Sequence, residues 1–211
     1  MVLAKAIALD EVPPYSCTGM PPLRHLYIHI PFCPKVCPYC SFYKEASDRN
    51  KTAQFLDALL AELDREPARL QPHTIFFGGG TPSALSTPQL DRLLSGLRER
   101  LDLSALQEWT LEMNPATVSL EKARLLRDLG VNRISMGVQS LSDPMLRMLG
   151  RIHSAAEARA SYDDARRVGF DSVNLDFIFG LPGQTTTDWQ ATLAEAVTWD
   201  VDHFAIYSLI L

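Results

Sequence analysis

The sequence predicts an α/β protein built around a parallel β-sheet. Six short apolar, β-prone runs recur along it, helical patterns fill the gaps between them, and most of those helices carry recognisable capping residues. Strands that alternate with helices default to a parallel sheet with right-handed crossovers. In order, the runs are "LYIHI" (26–30), "TIFFG" (74–78), "WTLEM" (109–113), "RISMGV" (133–138), "VNLDFIF" (173–179) and "FAIYSL" (204–209). Phe55, Leu56, Leu59, Leu60 and Leu63 fall on one helical face between the first two runs, and Leu90, Leu93, Leu94, Leu97 and Leu101 fall on another after the second. Thr87-Pro88 and Asp143-Pro144 read as caps followed by a first-turn proline. Ser119 reads as the cap of a helix that stops at Gly130, and Ser154-x-x-Glu157 and Thr187-x-x-Gln190 read as capping boxes. In such a sheet, open or curled, ligands collect at the carboxyl ends of the strands.

At 211 residues, 46% apolar and 21% charged, the chain suits one ordinary domain or part of a larger one. Residues 1–22, with Pro13, Pro14, Pro21 and Pro22, read as an irregular lead, and 23–211 as the core domain. "AIYSLIL" is a strand with neither cap nor following helix, so the expectation is a fragment whose C-terminal part is missing and whose exposed apolar sheet face makes it poorly soluble. A net charge of −5 without a basic stripe argues against a nucleic-acid partner. No run approaches the ~18 apolar residues of a membrane helix. The N-terminus "MVLAKAIALDEV" makes a poor signal peptide, broken by Lys5 and closed by Asp10 and Glu11. The expected location is the cytoplasm, where clustered thiols bind metals or react rather than form disulfides.

Three of the four cysteines, Cys33, Cys37 and Cys40, lie within "CPKVCPYC", directly after the first strand. Pro31, Pro34 and Pro38 keep this loop from turning helical. Cys17 stands apart and reads as a bystander. "GGGTPS" (78–83) follows the second strand; it lacks the Gly-Lys-Ser/Thr of a phosphate-binding loop and is not G-x-G-x-x-G. Its glycines permit positive φ and a ligand's close approach, or simply make a tight turn. Glu112 ends the third strand and suits a ribose diol or an amino group, unless it is only a solvated acid. Gln139 ends the fourth strand. Asp176 sits in an otherwise apolar strand, which is costly without a partner, although it shares a face with Asn174. Arg151 follows Gly150 and suits a ligand carboxylate or a surface position equally. His29 reads as a packed, hydrogen-bonded histidine.

The thiols admit three readings. A C-x-x-C redox pair explains Cys37 and Cys40 but leaves Cys33 idle. Structural zinc asks for a fourth ligand, and no second C-x2-C or H-x3-H follows. An iron–sulfur cluster held as C-x3-C-x2-C uses all three and leaves one iron open to a ligand. A non-enzymatic thiol–metal module stands as the alternative from another class.

The cysteine spacing followed by G-G-T-P resembles the radical S-adenosylmethionine (SAM) superfamily. Within it, "YIHIPFCPKVCPYC", "FFGGGTPS", "EMNP", "RISMGVQS" and "DFIFGLPGQT" resemble the oxygen-independent coproporphyrinogen III oxidase family, from about residue 24 to 211. The resemblance implies a partial (β/α)6 barrel, here cut after the sixth strand. It implies a [4Fe–4S] cluster on Cys33, Cys37 and Cys40, with SAM on the open iron. Tyr27, Tyr39, Gly79 and Glu112 match positions that contact this SAM; Gly80, Thr81, Gln139, Arg151 and Asp176 match a second SAM site of the oxidases. The implied chemistry is one-electron cleavage of SAM to methionine and a 5′-deoxyadenosyl radical, fed by a flavodoxin- or ferredoxin-type donor. The oxidases resemble one another in a further cysteine two residues past the third, where this sequence has Phe42. That departure and the short lead are more similar to the family's haem-chaperone (HemW) branch. Its cargo is haem, handed to an acceptor protein, rather than coproporphyrinogen III undergoing decarboxylation of two propionates.

Overall fold

Every apolar run becomes a strand, because each alternates its apolar residues to one face and lies between turn-forming residues. The computed structural model describes residues 21–65 and 70–209; Cys17 and nearly all of the expected lead fall outside them. The chain runs β1 (Leu23–Ile30), β2 (Phe32–Cys33), β3 (Glu45–Ala46), α1 (Arg49–Leu63), β4 (Leu70–Gly79), α2 (Thr87–Arg100), β5 (Glu108–Met113), α3 (Leu120–Asp128), β6 (Arg133–Gln139), α4 (Asp143–Met148), α5 (Ala155–Val168), β7 (Ser172–Phe179), α6 (Thr186–Ala196) and β8 (His203–Ser208).

The six long strands lie in the order β1-β4-β5-β6-β7-β8, each neighbouring pair parallel. Each new strand joins on the same side as the last, so right-handed crossovers deliver the helices to one face of the sheet. This is the sequential order of a (β/α)6 partial barrel. Toward the helices point Ile75 and Phe77, Trp109 and Leu111, Ile134 and Met136, and Val173, Leu175 and Phe177, all at 1% exposure or less. They join the leucines of α2 (Leu90, Leu93, Leu94, Leu97) in one core, each contributing roughly 1.5–3 kcal/mol by leaving water. The intervening positions face the other way and are mostly polar: Thr110 and Glu112, Ser135 and Gly137, Asn174 and Asp176. Register places them side by side, Glu112 opposite Ser135, Ser135 opposite Asn174, and Gly137 opposite Asp176.

The helix starts correct three sequence expectations by one or two residues. The cap of α2 is Ser86, in a capping box with Gln89, and Thr87 is already helical. The cap of α4 is Ser142; Asp143 instead accepts from the backbone N–H of Ala155 (2.8 Å). The box before α6 is Thr185 with Asp188, not Thr187 with Gln190. In each case an adjacent Ser, Thr or Asp offers the same chemistry, and the entry angle of the chain selects among them. Ser119 and the Ser154–Glu157 box stand as expected.

Candidate functional site

The cysteine loop leaves β1 at Pro31 and is closed at its base by a two-residue ladder. Phe32 pairs with Glu45 and Cys33 with Ala46, and Ser47 N–H donates to the Cys33 carbonyl (2.9 Å). Residues 34–44 form the excursion between. Within it Cys40 N–H reaches the Cys37 carbonyl (3.3 Å), and Lys44 turns its ammonium onto the carbonyls of Cys40 and Phe42. Cys33 is buried, and Cys37 and Cys40 are half-buried; all three are free thiols. Burial pushes the Cys33 thiol up; a hydrogen bond from Thr81 opposes this, while Cys40 and Cys37 add to it, so the three sulfurs share one electrostatic neighbourhood. Among the described residues, no three His, Cys, Asp or Glu side chains close on a point as ligands of a single metal ion would. A cluster held by one thiolate per iron does not require such convergence.

The glycine loop after β4 is stitched to this excursion. Gly80 N–H donates to the Ile30 carbonyl (2.8 Å), Thr81 N–H to the Phe32 carbonyl (2.9 Å), and Thr81 Oγ1 to Cys33 Sγ (3.5 Å). A Cβ on Gly80 would stand 2.7 Å from the Pro31 carbonyl. Here the space left by the missing side chain is taken by the neighbouring backbone rather than kept for a ligand. Gly79 has φ 109° and lies against the His29 ring. His29 donates from Nε2 to the Tyr43 carbonyl (3.0 Å) and so accepts at Nδ1 from Tyr27 (3.0 Å), as a packed histidine should.

Across a cleft of about 320 Å³ stand the polar ends of β5, β6 and β7. Glu112 accepts from Gly79 N–H (3.2 Å). Burial, then the nearby Asp176 carboxylate, push the Glu112 carboxyl up to about 7 against that bond. Burial pushes Asp176 up to about 6, opposed by a hydrogen bond from Asn174 Nδ2 (2.6 Å) and by Arg133, Ser135 and Arg151. Asn174 also donates to Ser135 Oγ (2.9 Å) and accepts from His203 Nδ1 (2.5 Å). A bulge between Gly137 and Gln139 bends β6, and Gln139 takes φ 70°, a conformation costly for a side-chain residue and typical of functional sites. His153, 4% exposed, supports the bulge by donating to the Val138 carbonyl (3.0 Å); burial, then Arg151, hold it down at about 4, hence neutral. Arg151 donates to the Gly137 carbonyl (2.7 Å) and reaches Cys37 Sγ (3.8 Å), while its Nε is buried with no protein partner. Burial pushes the Tyr39 phenol up to about 12, against the Arg151 charge.

The cleft thus gathers Tyr39, Gly79, Gly80, Thr81, Glu112, Gln139, Arg151 and Asp176, together with Cys40. Cys33 and Cys37 join through Thr81 and Arg151. Tyr27 stands at the rim, 57% exposed, close enough to Glu112 for that carboxylate to add to the burial that raises its phenol. Sequence reasoning missed Lys44, Ser135, His153, His203 and Tyr207, and gave Asn174 no role. A search for polar residues at alternate strand positions would have found Ser135 and His203. A three-thiol donor set, an unpartnered buried guanidinium N–H on Arg151 and the Asp176 carboxylate within its electrostatic reach suit a cluster together with a zwitterionic ligand, whose carboxylate and ammonium need opposite charges side by side.

The sequence model of the Radical SAM superfamily matches residues 27–196, and the chain belongs to that superfamily. Membership carries with it a [4Fe–4S] cluster and SAM. Within the superfamily, the chain is similar to haem chaperones named HemW. It is 40% identical over 193 residues to "Heme chaperone HemW" of Bacillus subtilis, covering 90% of this chain and 51% of that protein. It is 42% identical over 196 residues to the Escherichia coli protein of the same name, covering 91% and 52%. The chain spans about half the length of the curated relatives it matches. Among solved structures, coproporphyrinogen III oxidase (HemN) from Escherichia coli superposes with a TM-score of 0.83 at 34% identity, over 90% of this chain and 44% of that one.

Proposed function

We propose that the protein is a haem chaperone of the HemW kind, which binds haem and transfers it to acceptor proteins, and that it works in the cytoplasm. The observation that carries this reading is the 40–42% identity to HemW proteins over nine-tenths of the chain. Phe42, 68% exposed at the cleft mouth where the oxidases resemble each other in a cysteine, supports it. Among the described residues no helix is long and apolar enough to cross a membrane.

In this reading Cys33, Cys37 and Cys40 hold the cluster. Tyr27, Tyr39, Gly79 and Glu112 bind the SAM beside it, and Gly80, Thr81, Gln139, Arg151 and Asp176 line the adjoining space. With the cluster and SAM bound, the chemistry supplied is one-electron reduction of the sulfonium, with the electron drawn from a flavodoxin- or ferredoxin-type carrier. The chain's part is placement. Glu112 in its ionised form accepts from the ligand's donors, Arg151 offers its free Nε–H to a carboxylate, and Lys44 fixes the Cys40 end of the loop. Ser135 and Asp176 line the cleft's side, with buried Asn174 behind them, and limit water there.

A first test is Cys37→Ser, since serine is a poor ligand for iron in this setting; it should abolish iron uptake on anaerobic reconstitution, and unchanged iron content refutes the ligand assignment. A second test separates chaperone from oxidase, the reading that the likeness to HemN keeps in play. Reduced, reconstituted protein is given SAM and coproporphyrinogen III, and the porphyrin mass is followed beside a haem titration. Bound haem with no change of mass supports the chaperone; stepwise loss of two carboxyl groups makes it the oxidase.

A further inference from the structure

Thr81 stands where a threonine ordinarily caps a helix. It precedes the short 3-10 turn Pro82–Ala84, yet its hydroxyl makes no cap hydrogen bond there. The hydroxyl is turned instead onto Cys33 Sγ at 3.5 Å. The geometry is held from both sides. Thr81 N–H is fixed on the Phe32 carbonyl (2.9 Å), Gly80 N–H on the Ile30 carbonyl (2.8 Å), and the Thr81 carbonyl accepts from Ala84 N–H (2.9 Å). Gly80 lies too close to Pro31 for a side chain, so the two loops cannot separate without breaking this seam. Thr81 is 9% exposed and Cys33 6%, so water is a poor substitute donor. The other side-chain donor to a thiol sulfur among the described residues, Arg151 to Cys37, is longer at 3.8 Å.

We propose that Thr81 is a positioning residue for electron transfer: its hydroxyl, donated to the Cys33 sulfur, raises the reduction potential of the cluster. This deepens the function proposed above and rests on Cys33 being a cluster ligand. One electron enters the cluster on reduction and negative charge grows on its sulfurs, so a donor fixed on one sulfur stabilises the reduced form more than the oxidised form. The low dielectric of a buried contact strengthens that difference. The same hydroxyl is thereby committed to the thiolate and not free to bind SAM, which departs from the ligand-contact role implied by the family resemblance.

The test uses the full-length protein, reconstituted anaerobically as wild type, Thr81→Val and Thr81→Ser, with iron content and the cluster midpoint potential measured by redox titration followed by electron paramagnetic resonance. Valine keeps the shape and removes the donor; serine keeps the donor. All three should carry the same iron. Thr81→Val should shift the reduction equilibrium about tenfold toward the oxidised form, which is about 59 mV for one electron, while Thr81→Ser stays with the wild type. An unchanged potential in Thr81→Val, or an equal shift in Thr81→Ser, overturns the proposal. Loss of iron from Thr81→Val overturns it too, because a donor to a thiolate already bound to iron tunes a cluster and does not assemble it. A Cys33→Ser protein that still holds a full cluster overturns the underlying ligand assignment instead, and is seen in the iron assay before any potential is measured.

Discussion

Replacing Glu112 by Gln should make the cluster-free protein more stable and bind SAM less well. The carboxyl is raised from 4.5 to about 7 by burial and by Asp176 across the cleft, against one hydrogen bond from Gly79. A folded value above the unfolded one means that the folded state holds the proton more tightly. Below pH 4.5 both states are protonated and the group is neutral in its effect; stability is lost as pH rises toward 7, and the full cost persists above that. The gap of about 2.5 between the two values, at about 1.4 kcal/mol each, sets a ceiling of about 3.5 kcal/mol; about 2 kcal/mol remains once the part of the carboxyl open to the cleft is discounted. Glutamine keeps an acceptor for Gly79 and removes the charge. Urea unfolding of Glu112→Gln and wild type from pH 4.5 to 8.5 should therefore show no difference at the acid end and about 2 kcal/mol in favour of the variant at the alkaline end. A difference that does not vary with pH refutes the argument. SAM affinity, measured on the reconstituted protein at pH 8, should fall at least tenfold; an unaltered affinity removes Glu112 from the ligand site.

Two further outcomes test the scaffold. His153, neutral and held down at about 4 against 6.5 when unfolded, contributes stability that is fully present above pH 6.5 and lost as pH falls toward 4. His153→Asn should flatten that acid loss by about 2–3 kcal/mol, read from urea midpoints between pH 4 and 7. Gly80→Ala drives a methyl against the Pro31 backbone at 2.7 Å, which has no flexible end to yield. It should destabilise by about 1–3 kcal/mol and slow iron uptake; a wild-type midpoint would show that the two loops part easily.

The strands were legible because short apolar, β-prone runs recur between capped helical patterns, and the thiol spacing was legible because it is local. The cap positions slipped because neighbouring residues such as Ser86 and Thr87 compete with the same chemistry and only the chain's direction decides. Ser135 and His203 are visible as polar residues at alternate strand positions, but their pairing with Asn174 lay beyond a linear reading: the partners are 29–39 residues apart and meet only through register across β6, β7 and β8. His153 was opaque for the same reason, its value resting on a carbonyl 15 residues earlier that the bulge exposes. Gly80 was legible as a glycine but not in purpose; the sequence left a ligand's approach and a tight turn equally open, and the fold uses the room for its own backbone.

The alternation along β5, β6 and β7 has a consequence for how such a protein changes over time. Residues that keep the chain folded and residues that line the cleft occupy interleaved letters of the same three strands, separated by the thickness of the sheet. A substitution at 112, 135 or 176 alters the chemistry of the cleft wall while leaving Leu111, Ile134 and Leu175 packed behind it. Selection, or an engineer, can therefore explore new ligands on one side with the hydrophobic core on the other left largely undisturbed, provided the seam between the glycine loop and the thiol loop is not cut.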